Sequence, residues 1–213
     1  MIIEERMAAF IDSLDRGNTP FLDEIEAYAH ENRVPVVRKS MQSLLKFLMK
    51  LIKPKEVLEV GTAIGFSALL MSQYGPEECH ITTIEKYEKR IEIARENIRC
   101  AGKENRITLL QGDAAEILKG LSGSYDMIFM DAAKGQYLAF LPDVLRLLGQ
   151  GGILVSDNVL QDGDIIQSRF AVERRDRTIH ARMREYLYEL KHSPELETVI
   201  LPVGDGVTLT TRL

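Results

Sequence analysis

Val57-Leu58-Glu59-Val60-Gly61-Thr62-Ala63-Ile64-Gly65 is a short apolar strand that runs straight into a glycine-bearing loop. Glycines at such a turn let the backbone approach a ligand closely, and the start of the following helix offers unpaired N–H groups. The spacing departs from GxGxxG: Glu59 or Ala63 stands where that fingerprint needs glycine, so a pyrophosphate cradle is a poor match. An acidic residue opening the loop suits a ligand with a positive or amine-bearing end. A plain tight turn is the alternative.

Outward from this loop the same alternation repeats. A helix runs on through Tyr74, and further strands fall at 80–84, 106–110, 127–130 and 152–155, with helices at 87–101, 114–118 and 137–148 between them. Short apolar strands alternating with amphipathic helices imply a doubly wound α/β fold, a mostly parallel sheet covered on both faces. After a long charged helix at 173–191 come two short strands, 198–201 and 207–211, joined by Pro202-Val203-Gly204-Asp205-Gly206. They read as an antiparallel pair at one edge.

Upstream, the first fifty or so residues read as helical. Ile2, Ile3, Met7, Phe10, Ile11 and Leu14 recur at helical spacing before a break at 17–20. A second helix covers 21–30, Val34-Pro35-Val36 forces an extended link, and a third at 39–52 carries Met41, Leu44, Leu45, Leu48 and Leu51 on its apolar side. One domain over 1–213 is expected, with 1–53 as a helical cap and 54–213 as the core.

With 213 residues, 45% hydrophobic and 28% charged, the composition is that of an ordinary globular protein. A net charge of −5 does not advertise a nucleic-acid binder, although a local arginine patch can act against an acidic background. Cys79 and Cys100 form neither a disulfide framework nor a metal knuckle, which suits a cytoplasmic protein. Glu4, Glu5 and Arg6 leave no signal-peptide apolar region, and no run approaches the ~20 apolar residues of a membrane span.

The chemistry-bearing residues sit at strand ends. Glu85 closes the second strand, where ribose-binding carboxylates are found in nucleoside-binding folds, or it caps the following helix. Asp113 of Gly112-Asp113-Ala114 meets an adenine amino group, caps a helix, or does both. Asp131 follows one strand and Asp157-Asn158 another. Two carboxylates and an amide oxygen suit a hard divalent cation, Mg²⁺ first, with Mn²⁺ or Ca²⁺ able to substitute; strand-end caps are the alternative. Lys134, three residues beyond Asp131, would act as general base or hold a developing oxyanion, unless it is an inert surface lysine. His30, His80, His180 and His192 form no ligand spacing, His80 reads as structural, and GxSxG, HExxH and Walker patterns are absent.

These residues together resemble the cation-dependent O-methyltransferases of the catechol and caffeoyl-CoA type, over nearly the whole chain. The resemblance rests on Leu58-Glu59-Val60-Gly61-Thr62, Gly65-Phe66-Ser67, Ile84-Glu85, Phe129-Met130-Asp131-Ala132-Ala133-Lys134 with Tyr137, Gly151 through Leu160 with Gly163, and Leu201 through Val207. It implies a seven-stranded, mostly parallel sheet with a reversed last strand and N-terminal helices over the active site. It implies that Val37, Glu59, Gly61, Thr62, Ser67, Glu85, Asp113 and Ala114 surround S-adenosylmethionine, with Asp131 touching its methionine end. Asp131, Asp157 and Asn158 would hold the metal, Lys134 would be the base, and the protein would be a homodimer.

Within that family the chain looks most like the bacterial branch that methylates 5-hydroxyuridine at the tRNA wobble position, giving 5-methoxyuridine. The uracil 5-hydroxyl and 4-carbonyl are vicinal oxygens, as in a catechol. Arg169, Arg174, Arg175, Arg177, Arg182 and Arg184 crowd the stretch after Asp157-Asn158, and Arg33, Arg38 and Lys39 lie near the expected entrance. Such a cluster grips an RNA backbone, or it is a solvated face or dimer seam. The alternatives are a small catechol or phenolic acceptor, and a non-catalytic RNA- or nucleotide-binding protein on the same fold.

Overall fold

A computed structural model describes residues 4–168 and 170–213; Ile2, Ile3 and Arg169 lie outside them. Three helices come first, α1 (Glu5–Ser13), α2 (Pro20–Glu31) and α3 (Lys39–Ile52). The alternating part follows as β1 (Glu56–Val60), α4 (Phe66–Tyr74), β2 (His80–Glu85), α5 (Glu88–Cys100), β3 (Ile107–Gln111), α6 (Ala114–Gly120), β4 (Tyr125–Met130), α7 (Tyr137–Leu147) and β5 (Leu148–Ser156). The chain closes with α8 (Arg177–His192), β6 (Leu196–Leu201) and β7 (Val207–Arg212).

The seven strands lie in the order β3-β2-β1-β4-β5-β7-β6. β1 to β5 pair in parallel, whereas β7 runs against both β5 and β6, so the reversed last strand is found one place in from the edge. Because side chains alternate along a strand, β1 feeds two cores. Val57 joins α2, α3 and α4 on one face, with Leu45, Met49 and Phe129. Leu58 and Val60 join α6, α7 and α8 on the other, with Tyr137, Tyr186 and Leu190. β1 lies between β2 and β4, so the chain departs to opposite sides after β1 and β4 and leaves a crevice at their C-terminal ends.

Three expectations need correction. α8 begins at Arg177, not at 173, because Arg177 turns back to the carbonyls of Val172 (3.2 Å) and Phe170 (3.3 Å) and the preceding run coils against it. Leu51 is 65% exposed; α3 instead packs through Met41, Gln42, Leu45, Leu48 and Met49. The apolar stripe of α1 does not enter the core either, since Met7, Phe10, Ile11 and Leu14 are all exposed. Among the described residues no helix is long and apolar enough to cross a membrane.

Candidate active site

The crevice between the ends of β1 and β4 holds a cavity of about 820 Å³, within the range of small-molecule sites. Val37, Gly61, Thr62, Ser67, Glu85, Asp113, Ala114, Asp131 and Asn158 all line it. Gly61 has φ +108°, and a Cβ there would lie 2.1 Å from the backbone oxygen of Asp131. Only glycine lets the loop after β1 touch the strand end that carries Asp131.

Glu85 lines the cavity and braces the turn before α5, which has no side-chain cap. One carboxylate oxygen accepts the backbone N–H groups of Lys86 and Tyr87, each at 2.9 Å, and the other accepts that of Ala63 at 2.9 Å. It therefore ties the glycine loop to the start of α5. Asp113 caps α6, accepting from the backbone N–H of Ala115 at 2.9 Å, while remaining on the cavity wall.

Glu59 is placed differently from its sequence neighbours. It is fully buried beneath the loop and does not line the cavity. Thr83, its cross-strand partner, donates its hydroxyl to the Glu59 carboxylate, and the Thr83 and Thr62 hydroxyl oxygens lie 2.5 Å apart. The other Glu59 oxygen has no hydrogen-bond partner among the described residues. Burial pushes Glu59 up to about 7, against the pull of the Ser67 and Thr83 hydroxyls and with a further push from Asp131 and Glu85.

Asp131, Asp157 and Asn158 sit at the C-terminal ends of β4 and β5, which pair side by side. Burial pushes Asp131 up to about 6 despite the attraction of Lys134. Burial, then the negative charge of Asp131, pushes Asp157 up to about 7. Asp131 and the buried Asp157, whose ionisation Asp131 opposes, form a donor set that a divalent cation would relieve, with the Asn158 amide oxygen as third ligand. This set fits a hard cation; among the described residues no three His, Cys, Asp or Glu side chains converge as a cage.

Two buried tyrosines support this pair from beneath. The buried Tyr137 hydroxyl lies 2.9 Å from the carbonyl oxygen of Met130 and 3.1 Å from that of Asp157, spanning the two strand ends. Tyr137 meets Tyr186 edge-on at 5.5 Å between ring centroids, and the Tyr186 and Ser156 hydroxyl oxygens are 2.6 Å apart. Asn158 itself has φ +58°, a left-handed backbone of the kind found at ligand sites.

Lys134 is half-buried and ion-paired. Its Nζ donates to Asp205 at 3.1 Å, and Asp205 is 3% exposed. Asp205, in the β6–β7 turn, belongs to the hairpin link and to the Leu201 to Val207 motif, neither of which marks it as the partner of Lys134. Sequence reasoning also missed Tyr87, Arg90, Gln136 and Phe140 on the cavity wall; Arg90 stands over the Tyr87 ring at 5.4 Å.

The cationic residues named for RNA are more engaged than their spacing implied. Arg182 donates to the carbonyl of Gly135 (3.0 Å) and Arg184 to that of Ile165 (2.9 Å), which pins the segments after β4 and β5 to α8. Arg175 pairs with Glu173 (3.0 Å) and Asp176 (3.4 Å), Arg38 with Asp162 (3.3 Å), and Lys39 with Glu26 (2.6 Å). Arg33 and Arg174 are exposed. Phe170 is 83% exposed, with Arg177 over its ring at 5.9 Å.

Comparison with known proteins agrees with this geometry. A family model described as O-methyltransferase matches residues 14–213. Caffeoyl-CoA O-methyltransferase 2 of Populus trichocarpa is 31% identical over 179 residues, covering 79% of this chain and 71% of its own. Catechol O-methyltransferase of Mycobacterium tuberculosis is 32% identical over 161 residues, covering 74% of this chain and 73% of its own. Among solved structures, the SAH-bound Podospora anserina methyltransferase PaMTH1 superposes with a TM-score of 0.88 at 28% identity, over 98% of this chain and 94% of the other.

Proposed function

The chain belongs to the O-methyltransferase family, and from that premise we propose that it methylates the 5-hydroxyl of 5-hydroxyuridine at the tRNA wobble position, assisted by a divalent cation, Mg²⁺ first. It is an S-adenosylmethionine-dependent O-methyltransferase of the caffeoyl-CoA and catechol type. A purely binding role on the fold is set aside on that ground.

When bound, the cation would polarise the acceptor hydroxyl and the cofactor would supply the sulfonium methyl. The chain's own residues do the rest. Asp131, Asp157 and Asn158 would hold the cation at the ends of β4 and β5. Lys134 takes the hydroxyl proton. Gly61, Glu85 and Asp113 line the cavity that would hold the cofactor and would align it with the acceptor.

The observation that carries the RNA reading is Phe170. An aromatic ring 83% exposed, backed by Arg177, stands in the segment that leads directly away from Asp157 and Asn158 and suits stacking against an unpaired base. The exposed Arg33, Arg174 and Arg175 would meet phosphates. A small catechol or phenolic acceptor is the second reading, favoured by the internal bonds of Arg182 and Arg184. A cytoplasmic homodimer belongs to the same proposal, supported by the exposed apolar face of α1 and checked by light scattering.

The test is incubation with labelled S-adenosylmethionine, Mg²⁺ and tRNA containing 5-hydroxyuridine, followed by digestion and mass analysis, with free catechol and EDTA arms. Metal-dependent 5-methoxyuridine that weakens steeply as salt rises supports the proposal. Catechol methylation with untouched tRNA sinks it and leaves the second reading.

A further inference from the structure

We infer that Asp205 is a positioning residue that aims Lys134 at the reacting oxygen and couples it to the loop after β5. The inference rests on Lys134 as the proton acceptor. Lysine carries its charge on a flexible four-carbon stem with three rotatable donors, so something must fix where Nζ points. One Asp205 oxygen accepts from Nζ at 3.1 Å, and the other accepts the backbone N–H of Asp162. A carboxylate this buried is tolerated only with partners of this kind.

The turn that carries Asp205 is itself held in place. Gly204 and Gly206 flank it with φ +57° and +86°. The backbone N–H of Leu160 donates to the Asp205 carbonyl (3.0 Å) and that of Val159 to the Gly206 carbonyl (2.9 Å). A Cβ on Gly206 would lie 2.3 Å from Leu160 Cγ, so the turn rests directly on the residues that follow Asn158. Gln161 and Asp162 continue that segment with φ +51° and +52°, and the Asp162 side chain reaches Arg38, the residue after Val37 of the cavity wall. Lys134, Asp205, Asp162 and Arg38 thus form one connected row.

The experiment reads Lys134 without relying on turnover. The apo chain is treated with a limited dose of an amine-acylating reagent and the lysines are scored by peptide mass. In the wild type, Lys134 should react about tenfold more slowly than exposed Lys119, and in Asp205→Asn its rate should rise about threefold or more with Lys119 unchanged. Asp205→Glu should retain the slow rate. In assays with Mg²⁺ and whichever acceptor turns over, Asp205→Asn should lower kcat about tenfold or more, keep the cofactor KM within about twofold, and move the acid limb of the pH–rate profile. On a Lys134→Met background it should cost nothing further.

Equal reactivity of Lys134 and Lys119 in the wild type, an unchanged Lys134 rate in Asp205→Asn, or additive losses in the double variant would each overturn the inference. If Asp205→Asn unfolds, every lysine accelerates together, and the wild-type comparison with Asp205→Glu decides. If no acceptor turns over at all, the substrate reading fails while the labelling still judges Asp205.

Discussion

The backbone oxygen of Asp131 occupies the space where a side chain on Gly61 would have to go, 2.1 Å from the position of its Cβ. The loop after β1 and the strand end that carries Asp131 are therefore one contact. Gly61→Ala should destabilise the fold by about 2–4 kcal/mol and weaken S-adenosylhomocysteine binding at least about tenfold, as the loop is driven off Asp131. Calorimetric titration and thermal melting check both.

Cation binding should depend on pH in a stated window. Asp131 and Asp157 are pushed up to about 6 and about 7, so a cation must displace protons to bind below those values. Affinity for Mg²⁺ or Mn²⁺ should fall as pH drops from about 7 towards 5, by up to about tenfold per unit for each proton displaced. Titrations in buffers of different ionisation enthalpy would count the protons released. A pH-independent affinity over that window would remove these two residues from the ligand set.

The same shifts set the sign for the apo protein. Folded-state values above the unfolded one, 3.8 for both aspartates and 4.5 for Glu59, mean that the folded chain holds these protons more tightly. Their contribution to stability is fully present below about pH 4 and is lost as pH rises to about 7. Glu59→Gln removes one such group. At pH 8 the apo variant should melt higher than the wild type, whereas at pH 4 the two should converge.

Tyr137→Phe deletes the hydroxyl that spans the carbonyls of Met130 and Asp157. The loss should be about 1–2 kcal/mol in stability. Cation affinity should fall by several-fold to about tenfold, since the variant loosens what orients the ligands. Urea unfolding and cation titration measure the two separately.

The α/β order was legible because each strand is a short apolar run and each helix carries its own period. Asp131, Asp157 and Asn158 were legible because they directly follow such runs. Asp205 was not. Pro202 through Gly206 has the chemistry of a turn, and no local pattern marks one of its side chains as buried against a lysine 71 residues earlier. The start of α8 was misplaced because Glu173 to Asp176 have helix-compatible composition, while the bonds that pull Arg177 back onto Phe170 and Val172 are tertiary. Leu51 fits an apolar period but sits on the shoulder of α3 away from Met41, Leu45 and Leu48, and only the packing of neighbouring helices selects between the two sides.

The insertion of β7 between β5 and β6 has a consequence in time. The chain is made from its N-terminus, at roughly 5–20 residues per second, so the interval of 71 residues between Lys134 and Asp205 takes roughly 4–14 seconds to synthesise. Until β7 arrives, β5, the strand that leads into Asp157, stands with one edge unpaired, open to pairing with another nascent chain. Sealing that edge also delivers the Asp205 turn, so the molecule passes its period of greatest exposure to misassembly at the moment it becomes competent.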